Sequence, residues 1–168
     1  MRATNRRMRR SCLAVGGIAA LLVAACTSVA EQDATERDES GDITEEGDLG
    51  VFALNVGDCV NQPSETGEGV SQLTGVPCDE PHDGEVFGLI DSTAEEFPGR
   101  SALQQEADDV CVTEFEAYVG VAYESSEIFY ETLVPTEETW TDFDDREIVC
   151  IAVEQDGQLT GSVQGAAR

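Results

Sequence analysis

Between Ser101 and Val119 apolar residues return at every fourth position, as Leu103, Ala107, Cys111 and Phe115. That spacing lines one face of a helix. Pro98-Gly99 stands just before it, and Ser101 with Gln104 has the spacing of a capping box. A second pattern differs in kind. Ile148-Val149-Cys150-Ile151-Ala152-Val153 is apolar without a break between Glu147 and Glu154. It predicts a short strand covered on both faces. Shorter runs at Val51–Val60, Val70–Cys78, Glu85–Ile90 and Ile128–Val134 predict further strands. Asp156-Gly157 is a hairpin turn signal leading to a last strand near Leu159–Val163. Thr136-Glu137-Glu138, after Pro135, predicts a helical turn with acid at its positive end. The sum is an α+β domain: a small, antiparallel-rich sheet with one main helix packed on it.

Near the N-terminus the pattern changes. Leu13 to Ala25 is an apolar run of 13 residues, preceded by Arg2, Arg6, Arg7, Arg9 and Arg10 and followed by Cys26. A bilayer span needs about 20 apolar residues. A secretory signal core needs about 7–15. Basic residues, a short apolar core, small residues and a cysteine form the order of a lipoprotein signal. The expectation is a signal peptide over 1–25, with the Cys26 thiol accepting the lipid. A diacylglyceryl group suffices to hold a protein on a membrane. Arg9-Arg10 partly matches a twin-arginine export signal, but arginine pairs are common in such regions, and the general secretion route is the default. The expected location is the outer face of the cytoplasmic membrane, lipid-anchored.

Removing residues 1–25 sharpens the charge. Four arginines and no lysine then face 35 acidic residues, a formal net charge of −31. Such a chain is a poor partner for nucleic acid, whose phosphates need clustered Lys and Arg. Residues 27–50 hold nine acids and few apolar residues. They read as a self-repelling, disordered linker from Cys26 to residue 50. Residues 51–168 remain as one domain.

Four cysteines fall in that domain: Cys59, Cys78, Cys111 and Cys150. An even count in an exported chain implies two disulfides. Zinc is the rival, but no C-x-x-C pair exists. A helix packed on the IVCIAV strand brings Cys111 to Cys150. Cys59 then pairs with Cys78.

Several short motifs occur in a fixed order: Val56-Gly57-Asp58-Cys59, then Val76-Pro77-Cys78 through Pro81-His82-Asp83-Gly84-Glu85-Val86-Phe87. Cys111, Phe115, Tyr118-Val119-Gly120, Pro135-Thr136, Trp140, Asp145-Arg146, Cys150 and Leu159–Val163 follow. This set resembles the septum-formation family of actinobacterial exported proteins over nearly all of residues 52–166. The segment from Cys78 to Val86, with Pro81, His82 and Glu85 inside it, is its most specific part. The resemblance implies an extracytoplasmic, membrane-associated domain linked by name to cell division. It brings no established catalytic residue or ligand. One stretch, Trp140-Thr141-Asp142-Phe143-Asp144-Asp145-Arg146, departs from the pattern: the family usually has a glycine before Asp-Arg and a shorter turn, and here Asp144 precedes Asp145-Arg146.

Three candidate sites follow. His82, the only histidine, stands among Asp79, Glu80, Asp83 and Glu85. Asp79, His82 and Asp83 are the candidates for a divalent cation; the competing reading is a structural turn. Arg146 is expected to pair with a carboxylate, Asp58 or Asp144, rather than with a ligand. Trp140 reads as a packing residue, with a partner-binding anchor as the minority view. Catalysis has little support. With the disulfides formed there is no free thiol, and there is no lysine for Schiff-base chemistry. The expected function is a non-enzymatic, lipid-anchored interaction domain near the septum or cell wall, with a protein or cell-wall partner and no firm cofactor. The alternative is a cation- or small-ligand-binding sensor using the His82 loop.

Overall fold

A computed structural model describes residues 35–62 and 69–168. The expected lipoprotein signal and Cys26 lie outside the described residues. The chain runs β1 (Glu36–Arg37), β2 (Ile43–Glu45), β3 (Gly47–Gly50), β4 (Cys59–Asn61), β5 (Gln72–Val76), β6 (Gly84–Asp91), α1 (Arg100–Val119), β7 (Phe129–Leu133), α2 (Glu137–Asp142) and β8 (Glu147–Val153). One six-stranded sheet has the order β3-β5-β4-β6-β8-β7, and β1 pairs with β2 in a separate ribbon. All pairings are antiparallel. The expected α+β architecture, with one main helix and two disulfides, is what the chain adopts.

The sheet is covered on both faces, and β8 shows why its sequence is apolar throughout. Ile148, Cys150 and Ala152 join the core under α1, with Ala107, Cys111, Phe115 and Val119. Val149, Ile151 and Val153 join a second core with Ile43, Leu49, Leu54, Val60 and Leu73. Successive strand side chains point to opposite faces. A strand between two cores therefore needs apolar residues at every position. Burying a side chain such as Phe115 stabilises by about 1.5–3 kcal/mol.

Both disulfides form as the patterning predicts, Cys59–Cys78 and Cys111–Cys150, with Cα atoms 5.2 and 5.6 Å apart. The second pins the centre of α1 to the centre of β8. Opposite Cys150 the register of β6 slips by one residue between Val86 and Gly88. Such a bulge places two residues against one on the partner strand. Here Phe87 and Gly88 both face the helix side, where a Cβ on Gly88 would meet Cys150, while Val86 serves the second core. Gly84 begins β6 where only hydrogen fits: a Cβ there would stand 2.5 Å from the Ile151 side chain.

Five expectations are corrected. First, the acidic segment is not a disordered linker up to residue 50. Gly47–Gly50 is an edge strand paired with β5, and Leu49 is buried. Strand pairing runs through the backbone, so two well-placed apolar residues, Ile43 and Leu49, suffice. Second, Val51–Val60 is not one strand: Val51–Ala53 is a 3₁₀ turn and the strand spans Cys59–Asn61. Third, Val70–Cys78 shortens to Gln72–Val76. Fourth, the capping box at Ser101 does not form. The helix starts at Arg100 with Gly99 as its cap, so Ser101 already lies inside the first turn. Gln104 instead donates to the Thr132 hydroxyl of β7 at 2.7 Å. Fifth, Leu159–Val163 forms no strand. Leu159 makes a two-bond bridge to the His82 backbone, and the chain beyond it packs as coil.

Candidate functional site

Two regions concentrate the polar and aromatic side chains that the sequence singled out. The first is a buried knot around Cys59–Cys78. Gly57 takes φ +100, which glycine tolerates at no steric cost, and so turns the chain before β4. Asp58, 4% exposed, closes that turn by accepting from the Asn55 amide at 2.7 Å. Its second partner is the Arg37 guanidinium, which reaches both carboxylate oxygens. Sequence reasoning missed this pair because Arg37 stands in the acidic run assigned to a linker. A bidentate Arg–carboxylate pair adds geometric specificity as well as energy.

Glu85 is fully buried yet well bonded. It accepts from the Tyr118 hydroxyl, the Ser162 hydroxyl and the Val163 amide, each at 2.6 Å. One carboxylate thereby joins β6, α1 and the C-terminal coil. Burial, and then the adjacent Glu85 carboxylate, push the Tyr118 hydroxyl well above its ordinary range. It stays a proton donor at every physiological pH.

His82 is also fully buried. Its Nδ1 lies 2.8 Å from the Glu80 carbonyl, its amide donates to Leu159, and its carbonyl accepts from the Leu159 amide. Nε2 is buried without a hydrogen-bond partner among the described residues. The expected cation candidates do not converge. Asp79 is exposed, and the Asp83 carboxylate takes the Gln62 amide and the Gln158 side chain, each at 3.0 Å. The residues whose ligand atoms gather within 4.8 Å are Cys59, His82 and Glu85. Cys59 is held in a disulfide, and both Glu85 oxygens already accept hydrogen bonds. Metal sites need a deprotonated thiol rather than a bridged sulfur. The knot is a structural centre.

The second region is open. A groove of about 780 Å³ runs between the β7–α2 connection on one side and Val51, Phe52, Val70 and Ser71 on the other. Its apolar lining includes Phe52, Val70, Phe97, Leu133, Pro135 and Phe143. The rings of Phe52 and Phe143, 63% and 67% exposed, meet at one side with centroids 6.2 Å apart. Glu137, Glu138, Asp145 and Glu147 stand around it with a single cation, Arg100. Partial burial, and then Asp91 and Asp145, raise the Glu147 carboxyl above its usual range.

Trp140 and Arg146 brace the groove without lining it. Trp140 is 5% exposed, with its ring edge-on to Phe97 at 5.7 Å. The Arg146 guanidinium lies 3.8 Å over that ring. It also donates to the Trp140 carbonyl at 3.0 Å and pairs with Asp144 at 2.9 Å. Arg146 therefore takes the second of its two expected partners; Asp58 belongs to Arg37. Thr136 caps α2 through a reciprocal bond pair with Thr139. That cap fixes the groove wall.

Asp144 explains the departure from the family pattern. Its φ is +56, the left-handed region. Glycine favours that region, and Asp is among the few other residues to visit it. The Asp144 side chain pairs with Arg146.

The septum formation family model matches residues 23–150. The chain belongs to the septum formation family. The family match covers the knot, the groove and both disulfides and ends at Cys150, so the C-terminal coil that caps Glu85 lies beyond it. No curated protein and no solved structure has detectable similarity to the chain. Among the described residues, no helix is long and apolar enough to cross a membrane.

Proposed function

We propose that this member of the septum formation family is a non-enzymatic, lipid-anchored interaction protein acting outside the cytoplasmic membrane at the septum or cell envelope. The observation that carries the reading is the groove, where two exposed phenylalanine rings border an open apolar cleft. Contiguous exposed apolar surface marks binding sites. The groups that commonly do chemistry are engaged elsewhere. The one histidine is buried, and the four cysteines of the domain form two bridges. Disulfides suit an oxidising compartment outside the cytoplasm. The sensor alternative loses support, because Asp79, His82 and Asp83 do not point to a common centre.

Cys26 would carry the lipid. Nine residues separate it from Glu36, where β1 begins. That chain reaches about 30 Å at most, well short of the roughly 80 Å that a linker to residue 50 would allow. The domain would work close to the membrane surface.

The decisive experiment follows a fluorescent fusion in dividing cells. Septal enrichment, lost in the Phe52→Ser/Phe143→Ser variant at normal abundance, is the expected result. Uniform envelope labelling, with no division defect on depletion, would overturn the septal assignment. Cys26→Ser is expected to release the protein into the soluble fraction; retention on membranes would remove the anchor.

A further inference from the structure

We infer that the groove takes an extended polypeptide segment in which an apolar side chain is flanked by lysine or arginine. The inference rests on the groove being the binding face, and it names the chemistry of the occupant. Charge is the first argument. Four carboxylates and one guanidinium line the cleft. Glu147 is partly buried and sits near Asp91 and Asp145, so like charges crowd at the groove wall. A cation placed there relieves that repulsion, and an acidic occupant increases it.

The rings are the second argument. Phe52 and Phe143 are among four large apolar side chains that stand exposed in the described residues, and these two touch. Aromatic faces attract both apolar side chains and cations within about 6 Å of the ring. A lysine or arginine next to an apolar residue would engage the rings and the carboxylates together. The cleft is also the right size. At about 780 Å³ it lies within the roughly 300–1,000 Å³ of sites that hold a few anchoring groups. Pro135 in the wall has no amide hydrogen and offers no backbone donor to an occupant at that position. Recognition there falls to side chains seated in the cleft.

The exported protein, purified in non-ionic detergent, can be titrated against a fluorescein-labelled peptide of alternating lysine and phenylalanine. A lysine–serine peptide and a glutamate–phenylalanine peptide serve as comparators. The lysine–phenylalanine peptide is expected to bind at least about tenfold more tightly than either, a difference of about 1.4 kcal/mol. The Phe52→Ser/Phe143→Ser variant should reduce its affinity to that of the lysine–serine peptide. Glu138→Gln/Glu147→Gln should weaken binding about threefold or more. Asp109→Asn/Glu116→Gln, on the exposed face of α1, should leave it unchanged. Circular dichroism confirms that each variant is folded.

Equal binding of the lysine–serine peptide would reduce the effect to overall charge and overturn the inference. So would equal binding of the glutamate–phenylalanine peptide. Dimerisation abolished by the Phe52→Ser/Phe143→Ser change would make a second copy the occupant and overturn it as well. These outcomes leave the septal reading standing if the same double variant still loses septal enrichment. Normal peptide binding together with unaltered localisation of that variant would instead remove the septal reading and keep the inference.

Discussion

Around the Cys59–Cys78 bridge, polar side chains are buried and bonded; around Phe52 and Phe143, aromatic rings meet solvent beside carboxylates. Both regions hold acidic residues, and they use them differently. Asp58 and Glu85 accept from arginine, hydroxyl and amide donors and tie separate segments together. Glu147 is half-buried at the open cleft, with Asp91 and Asp145 adding like charge beside it. A buried carboxylate with every oxygen satisfied is a fastening. Exposed apolar surface ringed by an excess of like charge is a place for something else to bind. The segment from Cys78 to Val86, within the family match, falls in the first class.

If that division is right, damage to the knot lowers stability and damage to the groove lowers binding. The largest effect should come from the bridges. Cys111→Ala/Cys150→Ala opens a 39-residue separation and should cost about 4 kcal/mol in urea unfolding. Cys59→Ala/Cys78→Ala opens 19 residues and should cost about 3 kcal/mol. Next comes Glu85→Ala, which strands the Val163 amide and two hydroxyls in the interior. It should cost about 3 kcal/mol, with Glu85→Gln losing less because one acceptor remains. Added zinc or calcium at about 1 mM should leave Tm unchanged. A rise in Tm that disappears in His82→Ala would break the comparison, since the knot would then hold a ligand.

In the groove the expected signs reverse. Phe52→Ser/Phe143→Ser should change unfolding free energy by about 0.5 kcal/mol or less, because exposed side chains contribute little. Loss of more than about 2 kcal/mol would show that the ring pair is structural. Glu147 sharpens the point through pH. Its folded carboxyl is raised above the unfolded value, so its contribution to stability is full below the ordinary glutamate range. That contribution is lost as pH rises through the raised value. Glu147→Gln should flatten this part of the stability profile. At pH 7 it should raise Tm.

Legibility in the sequence followed physical cause rather than importance. Helix α1, strand β8 and both disulfides were readable because burial imposes a period on Leu103 through Phe115 and a continuous apolar run on Ile148 through Val153. Strand β3 was not. Its pairing with β5 uses backbone groups, and Leu49 stands alone among acids. The role of Glu85 was hidden because 35 acidic residues look alike until burial separates them. The groove was hidden for another reason: Phe52, Phe97, Leu133 and Phe143 are distant in sequence and meet only in the fold.

The smallest effect tests the join between the two regions' logic, at Asp144. This residue sits in the left-handed region at φ +56, which costs a non-glycine residue roughly 1 kcal/mol. Its ion pair with Arg146 is solvent-exposed on the aspartate side, and such pairs contribute little. Asp144→Gly, which restores the usual family residue, should therefore be neutral or stabilising by up to about 1 kcal/mol. If the guanidinium is held over Trp140 by its two carbonyl contacts, at 3.0 and 2.9 Å, the groove wall survives the change and peptide binding stays constant. Weaker binding with unchanged unfolding would mean that Asp144 orders Arg146 and Trp140. The boundary between fastening and binding residues would then run through this loop.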